Sequence, residues 1–245
     1  MSVLSDPHRF RRQAAGLCLI AAPLLYVAGV VADPSLRRGD TSAGVYGRYA
    51  EEVSLSASLL HWSWVLLVPG IVGMIHLVRR RGAAFAHLAG GLALLGVVNF
   101  SALMMGDFFY ARLERDLPPA QGARIGDEAF ADPGLMYGFQ VPGFLGLLGL
   151  LLLGLAVAYA GRAPWWAPPA MLAGVFGTTF FPVGTALGGL LYLAGSGVIG
   201  LRMLRMSDAE WAGEGPAQAG APASGTAGGL SSEAGASSGK RTATR

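Results

Sequence analysis

Apolar residues in this chain gather into long blocks instead of alternating with polar ones. Four blocks run about Gln13 to Ala32, Ser56 to Val78, Ala83 to Gly106 and Leu135 to Gly161. Each is near or above the ~20 residues that cross a ~30 Å hydrocarbon core. Lipid offers no water to free N–H and C=O groups, so such blocks are predicted to be helices. Period-2 alternation, the mark of a membrane β-barrel, is absent.

A fifth block, Ala163 to Leu201, holds no Asp, Glu, Lys, Arg or His over 39 residues. One helix of that length would extend roughly 58 Å, about twice the core thickness. Phe181-Pro182-Val183-Gly184 interrupts it, because proline removes a donor and restrains the residue before it while glycine relaxes the backbone after it. Two passes turning at Pro182 are one reading; a single kinked helix or a re-entrant element is the other.

Basic residues near span ends decide between them, since cytoplasmic flanks carry the excess. Six spans with the N-terminus inside put Arg9, Arg11, Arg12, Arg79, Arg80, Arg81, Arg162, Arg202 and Arg205 on the cytoplasmic side. Arg37, Arg38, Arg48, Arg112, Arg115 and Arg124 then lie outside. Five spans would move Arg202 and Arg205 outside and erase the bias. The predicted fold is therefore all-α: a polytopic transmembrane helix bundle of six spans in the plasma membrane, both termini cytoplasmic. Residues 1–12 form a cytoplasmic N-terminal segment, 13–206 the bundle, and 207–245 a disordered cytoplasmic tail, rich in Gly, Ala and Ser from Ala212 on. Trp211 is placed at the interface. The first block also has a basic leader and small residues, Val30 and Ala32, before Asp33, as a cleaved signal would. Its 20 apolar residues exceed the usual ~7–15 of a signal core, which favours an anchor.

Composition sharpens this picture. The chain is 53% hydrophobic and 13% charged, against roughly 25% charge in soluble domains. Its net charge of +3 is spread over the ends of apolar blocks, whereas a nucleic-acid binder gathers basic residues on one face. Nucleic acid is excluded as a partner. The lone Cys18 rules out a disulfide framework or a cysteine metal site and reads as a small buried hydrophobe.

Two longer loops are predicted outside. Asp33 to Leu55 contains Tyr46 to Val53, which suits a short surface helix. Asp107 to Asp132 is acidic, and Pro118-Pro119 are expected to break any helix there. Phe108, Phe109 and Tyr110 fit the interfacial aromatic belt.

With this topology polar residues concentrate in the outer half of the membrane. His61, Asn99, Asp107 and Gln140 are the candidate cluster, with Thr178, Thr179 and Thr185 at the same level; the inner half offers His76 and His87. Intramembrane polar groups are costly and mark candidate sites. Each also has a plainer role: Asp107 as a helix-end cap, His61 and Gln140 as interfacial residues, Asn99 in an interhelical hydrogen bond. Gly143, Gly146 and Gly149, the pair Gly184 and Gly188, and Ser196 with Gly200 mark close helix contacts, within the subunit or in a homo- or hetero-oligomer. Pro23, Pro69 and Pro142 fall inside blocks and predict kinks. No phosphate loop, H-E-x-x-H pair or G-x-S-x-G elbow occurs, so no catalytic, cofactor-binding or metal residue is assigned and no cofactor is expected.

The order of features is an arginine-led first block, Asp33-Pro34 at its outer end, Val78-Arg79-Arg80-Arg81-Gly82 closing the second, then glycine-rich spans ending at Leu201-Arg202. This layout resembles six-span membrane proteins of GC-rich bacteria grouped under domains of unknown function. The resemblance covers about residues 9–206 and carries no catalytic motif. The function expected is a membrane component that binds or moves a small polar solute through an outward-facing cavity. Rival readings are an assembly subunit with a partner membrane protein, and an outer-leaflet lipid enzyme with His61 and Asp107 as acid and base.

Overall fold

The computed structural model describes residues 6–40, 42–79, 82–180 and 185–213, without the side chains of residues 179, 180, 185 and 186. The turn expected at Pro182 and the tail from Glu214 to Arg245 lie outside the described residues. All elements among the described residues are helical: α1 (Pro7–Ala32), α2 (Pro34–Arg38), α3 (Val45–Arg48), α4 (Ala50–Leu77), α5 (Ala83–Asp116), α6 (Pro119–Phe130), α7 (Pro133–Leu135), a π-helical turn (Met136–Gln140), α8 (Val141–Tyr159), α9 (Ala167–Phe180), α10 (Thr185–Arg205) and α11 (Asp208–Ala212). Five segments are long and apolar enough to cross a membrane: Pro7–Ala32, Ala50–Leu77, Ala83–Asp116, Pro133–Tyr159 and Leu187–Arg205. α9 has 14 residues, roughly 21 Å of helix.

Local chemistry explains the ends. Asp6 accepts hydrogen bonds from the amides of His8 and Arg9, and Pro7 supplies the first helical position of α1, where its missing N–H costs nothing. Asp33 closes α1 with its own amide and caps α2 with its side chain, again followed by proline. Gly82, at φ 78°, makes the left-handed turn that opens α5.

The long helices pack in a ring in which each neighbour runs antiparallel to the next. α1 meets α4 where Gly29 faces Leu60 and Gly70 faces Leu19; α4 meets α5 where Ile75 covers Gly90. Gly96 of α5 lies on Gly146 of α8, Gly154 of α8 on Pro168 of α9, Gly174 of α9 on Tyr192 of α10, and Gly200 of α10 on Gly16 of α1. Apolar lipid provides little hydrophobic drive between helices, so this small-residue approach supplies much of the packing. Gly143, Gly146, Gly149, Gly188, Ser196 and Gly200, read from sequence as contact faces, are thus occupied within the chain, while Gly184 lies outside the described residues.

An aromatic layer crosses the ring. Tyr192 and Tyr26 meet edge to face at 5.4 Å, Tyr26 and Trp64 at 5.7 Å, Trp64 and Phe100 stack at 5.0 Å, and Phe100 meets Phe144 at 5.5 Å. One side chain from each of α10, α1, α4, α5 and α8 contributes, and Tyr26, Trp64 and Tyr192 are buried.

Several expectations are corrected. α5 continues ten residues past the block end at Gly106, to Asp116. Pro118-Pro119 do not abolish helix beyond it, because Pro119 occupies the first turn of α6; α6 then lies along α5 through Gly122 and Gly126. Pro142 lies inside the helical segment Pro133–Tyr159, two residues after the π-helical turn Met136–Gln140. The helix expected over Tyr46 to Val53 is divided at Tyr49 between α3 and α4.

The ordered body also reaches Gly213, beyond the boundary placed at Met206. Arg12, 6% exposed, donates to the carbonyls of Met203 and Leu204 at 3.0 Å and to Asp208 at 2.8 Å. It thereby satisfies carbonyls that the end of α10 leaves open. Arg79 donates to the carbonyls of Trp211 and Ala212, and Arg162 pairs with Glu210. Trp211 is buried against the His76 ring at 4.3 Å. The start of α1 and the ends of α4, α8 and α10 therefore gather at one end of the bundle, hereafter the Arg12 end.

A β-carbon on Gly146 would collide with the backbone of Gly96, whereas one on Gly91 meets nothing within 4 Å. Gly146→Val is expected to destabilise the bundle by roughly 1–3 kcal/mol or more, because backbone cannot move aside as a side chain can. Gly91→Ala should be neutral or stabilising by up to about 1 kcal/mol. Reversible unfolding in mixed detergent micelles measures both.

Candidate functional site

At the other end of the bundle polar side chains collect around α2, α3 and the extension of α5. Glu114, 5% exposed, organises them. Its carboxylate accepts hydrogen bonds from the amides of Gly44 (2.9 Å), Tyr46 (2.8 Å) and Gly47 (3.0 Å). These are unpaired donors at the start of α3, where the helix dipole also favours an anion. Gly44 reaches this position at φ 87°. Gly47 has no room for a β-carbon against the backbone of Glu114 and Arg115. The segment between α1 and α4 is thus fastened to α5 by one carboxylate.

The fastening sets Tyr46 over Asp33 and Asp107. The Tyr46 hydroxyl donates to Asp33 at 3.4 Å. Burial raises the Tyr46 phenol above its ordinary pKa, and the neighbouring Asp33 and Asp107 carboxylates raise it further. Asp33 is 8% exposed; one oxygen accepts from the Ser35 amide (2.8 Å) and hydroxyl (2.6 Å), while the other faces Tyr46. Asp107 is half-buried and close enough to Asp33 for the two charges to interact. Among the described ion pairs, Arg37 and Arg38 turn to Glu52, Arg48 to Asp40, and Arg112 to Asp116. No described arginine neutralises Asp33 or Asp107.

The four residues singled out from sequence are distributed, not assembled. His61 of α4 pairs through Nδ1 with the Ser101 hydroxyl of α5 at 2.8 Å. Asn99 donates to the Leu95 carbonyl of its own helix at 2.7 Å, and Gln140 donates to the Phe130 carbonyl at 3.0 Å. Only Asp107 reaches the acidic pair. Thr178 is buried and bonds back to Gly174 and Val175 of its own helix; the side chains of Thr179 and Thr185 lie outside the described residues. His76 bonds to Trp211 at the Arg12 end, and His87 to Ala83. Cys18 is half-buried.

His61 and Ser101 have the separation of a base and a nucleophile, but Ser101 lies within α5, whose amides are committed to the helix ladder. No oxyanion hole can form from them, so the pair acts as an interhelical hydrogen bond. Among the described residues no three His, Cys, Asp or Glu side chains converge as a metal-holding set. Two turns along α1 and α5 from Asp33 and Asp107, Tyr26, Trp64 and Phe100 form the aromatic layer.

The sequence reading missed Asp33, Tyr46 and Glu114. Asp33-Pro34 carried a visible cap signal, and that signal accounts for only one of its two oxygens. Glu114 looked like one acid among six in an acidic loop, and nothing local distinguished it.

Glu114→Gln keeps the shape but leaves one carbonyl oxygen for three donors. The loss should cost roughly 1–3 kcal/mol and appear as faster hydrogen exchange at Gly44, Tyr46 and Gly47, with the amides of α8 unaffected.

In comparison with known proteins, the chain matches no family model, no curated protein and no solved structure.

Proposed function

We propose that the chain is a six-span plasma-membrane protein, both termini cytoplasmic, whose outer end binds a small polar or cationic solute between Asp33, Tyr46 and Asp107. The observation that carries this reading is the Tyr46 hydroxyl held on Asp33 by a loop that Glu114 anchors, with Asp33 and Asp107 absent from the described ion pairs. A cation there would relieve their mutual repulsion, and the Tyr46 hydroxyl would supply a hydrogen bond. The aromatic layer below favours binding over passage, so the site recognises its solute from the outer face.

Six spans are supported by the antiparallel contact of α9 with α10, which makes α9 a short sixth pass. Cytoplasmic termini are supported by Arg9, Arg11, Arg12, Arg79, Arg162, Arg202 and Arg205 at the Arg12 end, in keeping with positive-inside bias. Most described glycines of the candidate contact faces are engaged within the chain, which favours this reading over that of an assembly subunit. The lipid-enzyme reading needed His61 beside Asp107, and His61 is spent on Ser101.

The topology has a direct test. With Cys18→Ser as background, single cysteines at Val183 and Ala219 are probed in intact cells with a membrane-impermeant maleimide. Val183→Cys should label and Ala219→Cys should not; labelling at residue 219 overturns the six-span reading.

Binding is tested by tryptophan fluorescence of the purified chain, titrated at constant ionic strength with methylammonium or calcium chloride. One of these cations should give a saturable change that Asp107→Asn weakens at least tenfold. An unchanged titration in Asp107→Asn removes the site.

A further inference from the structure

A cavity of about 380 Å³ opens beside α5, between α5, α6 and the α7–π-turn segment. That volume falls in the range of ordinary ligand pockets, roughly 300–1,000 Å³. Its walls are apolar, with Leu103, Phe109 and Leu113 on α5 and Ala129 and Phe130 on α6. Phe109 is 64% exposed, so the cavity is open along this face.

Three observations define the occupant. The first is length: the lining on α5 runs from Ala102 to Leu113, roughly 16 Å of helix, the extent of an acyl chain and not of a compact solute. The second is level. The proposed topology puts the outer hydrocarbon boundary near Asp107, so the cavity begins inside the outer leaflet and continues above it, still apolar at Leu113 and Ala129. The third is the charge at its upper end. Arg112 and Asp116 form an exposed ion pair one turn beyond Phe109, and residues 105, 109, 112 and 116 share one helix face. One cation beside one anion complements a phosphate joined to an ammonium group.

We infer that this cavity holds an acyl chain of a zwitterionic phospholipid raised part-way out of the outer leaflet, its headgroup on Arg112 and Asp116. α6 forms the second wall, so the chain stays covered above the boundary, where a neighbouring lipid would meet water. The inference rests on the membrane placement proposed above and is independent of solute binding at Asp33 and Asp107.

The test uses the full chain in phosphatidylcholine nanodiscs containing a phosphatidylcholine with a diazirine in the carboxyl-proximal third of one acyl chain. An ordinary lipid at the surface of the bundle presents that group below Asp107; a lipid in the cavity presents it at Leu113 and Ala129. After photolysis and peptide mass spectrometry, adducts should appear at Leu113 or Ala129. They should fall at least fivefold in Ala129→Trp, which fills the cavity, and at least threefold in Arg112→Ala, an exposed position that spares packing. Adducts at Leu88, which is 77% exposed on the same helix near its other end, should be unchanged. Labelling at Leu88 without Leu113 or Ala129 overturns the cavity site and spares the membrane reading; absence of labelling at all three overturns both. Equal labelling in Ala129→Trp also refutes the site, as does preference for a phosphatidylglycerol probe over phosphatidylcholine, which contradicts the headgroup assignment.

Discussion

Close backbone approach at small residues is the constraint on which the rest of this bundle depends. Helices surrounded by lipid gain little from hiding apolar side chains, since the alternative surroundings are equally apolar. What remains is contact density, and that requires glycine where two backbones meet, as at Gly96 with Gly146 and at Gly16 with Gly200. These contacts fix the spacing of neighbouring helices, and the spacing decides which aromatic rings can meet across the centre. The Tyr192–Tyr26–Trp64–Phe100–Phe144 layer is a consequence of that spacing as much as of the rings.

The same closeness explains why the polar site sits at the end of the bundle. His61, Asn99 and Gln140 each take a near partner, Ser101, Leu95 and Phe130, and do not gather around Asp107. Polar chemistry is displaced outward, to loops that need anchoring. Glu114 provides the anchor because the start of a four-residue helix offers several amides at once. The fixed loop then lowers Tyr46 onto two aspartates.

How much of this could be read in the sequence follows from the range of each interaction. The long helices are visible because twenty apolar residues in a row is a local property, although α1 begins at Pro7, six residues before the block read at Gln13. The extension of α5 to Asp116 was hidden because a charged helix outside lipid leaves no mark in hydropathy, and Pro119 looked like a breaker although it begins a helix. Asn99, eight residues before Asp107, promised a shared face, yet its amide found a closer acceptor four residues back. Glu114 and Arg12 lay beyond reach for another reason. Their partners are 70 and 191 residues away, and nothing in the order of the chain announces them.

The Arg12 contact has a consequence for how the molecule is made. Its acceptors at the end of α10 are synthesised 191 residues after it, a delay of roughly 10–40 s at ordinary translation rates of ~5–20 residues per second. Throughout that interval the face of α1 carrying Gly16 and Leu19 is missing its final neighbour, and a guanidinium that ends buried has no carbonyl to hold. The ring can close only after the last long helix leaves the ribosome. Biogenesis therefore has a waiting period for the first helix, which ends when α10 takes its place on the open seam.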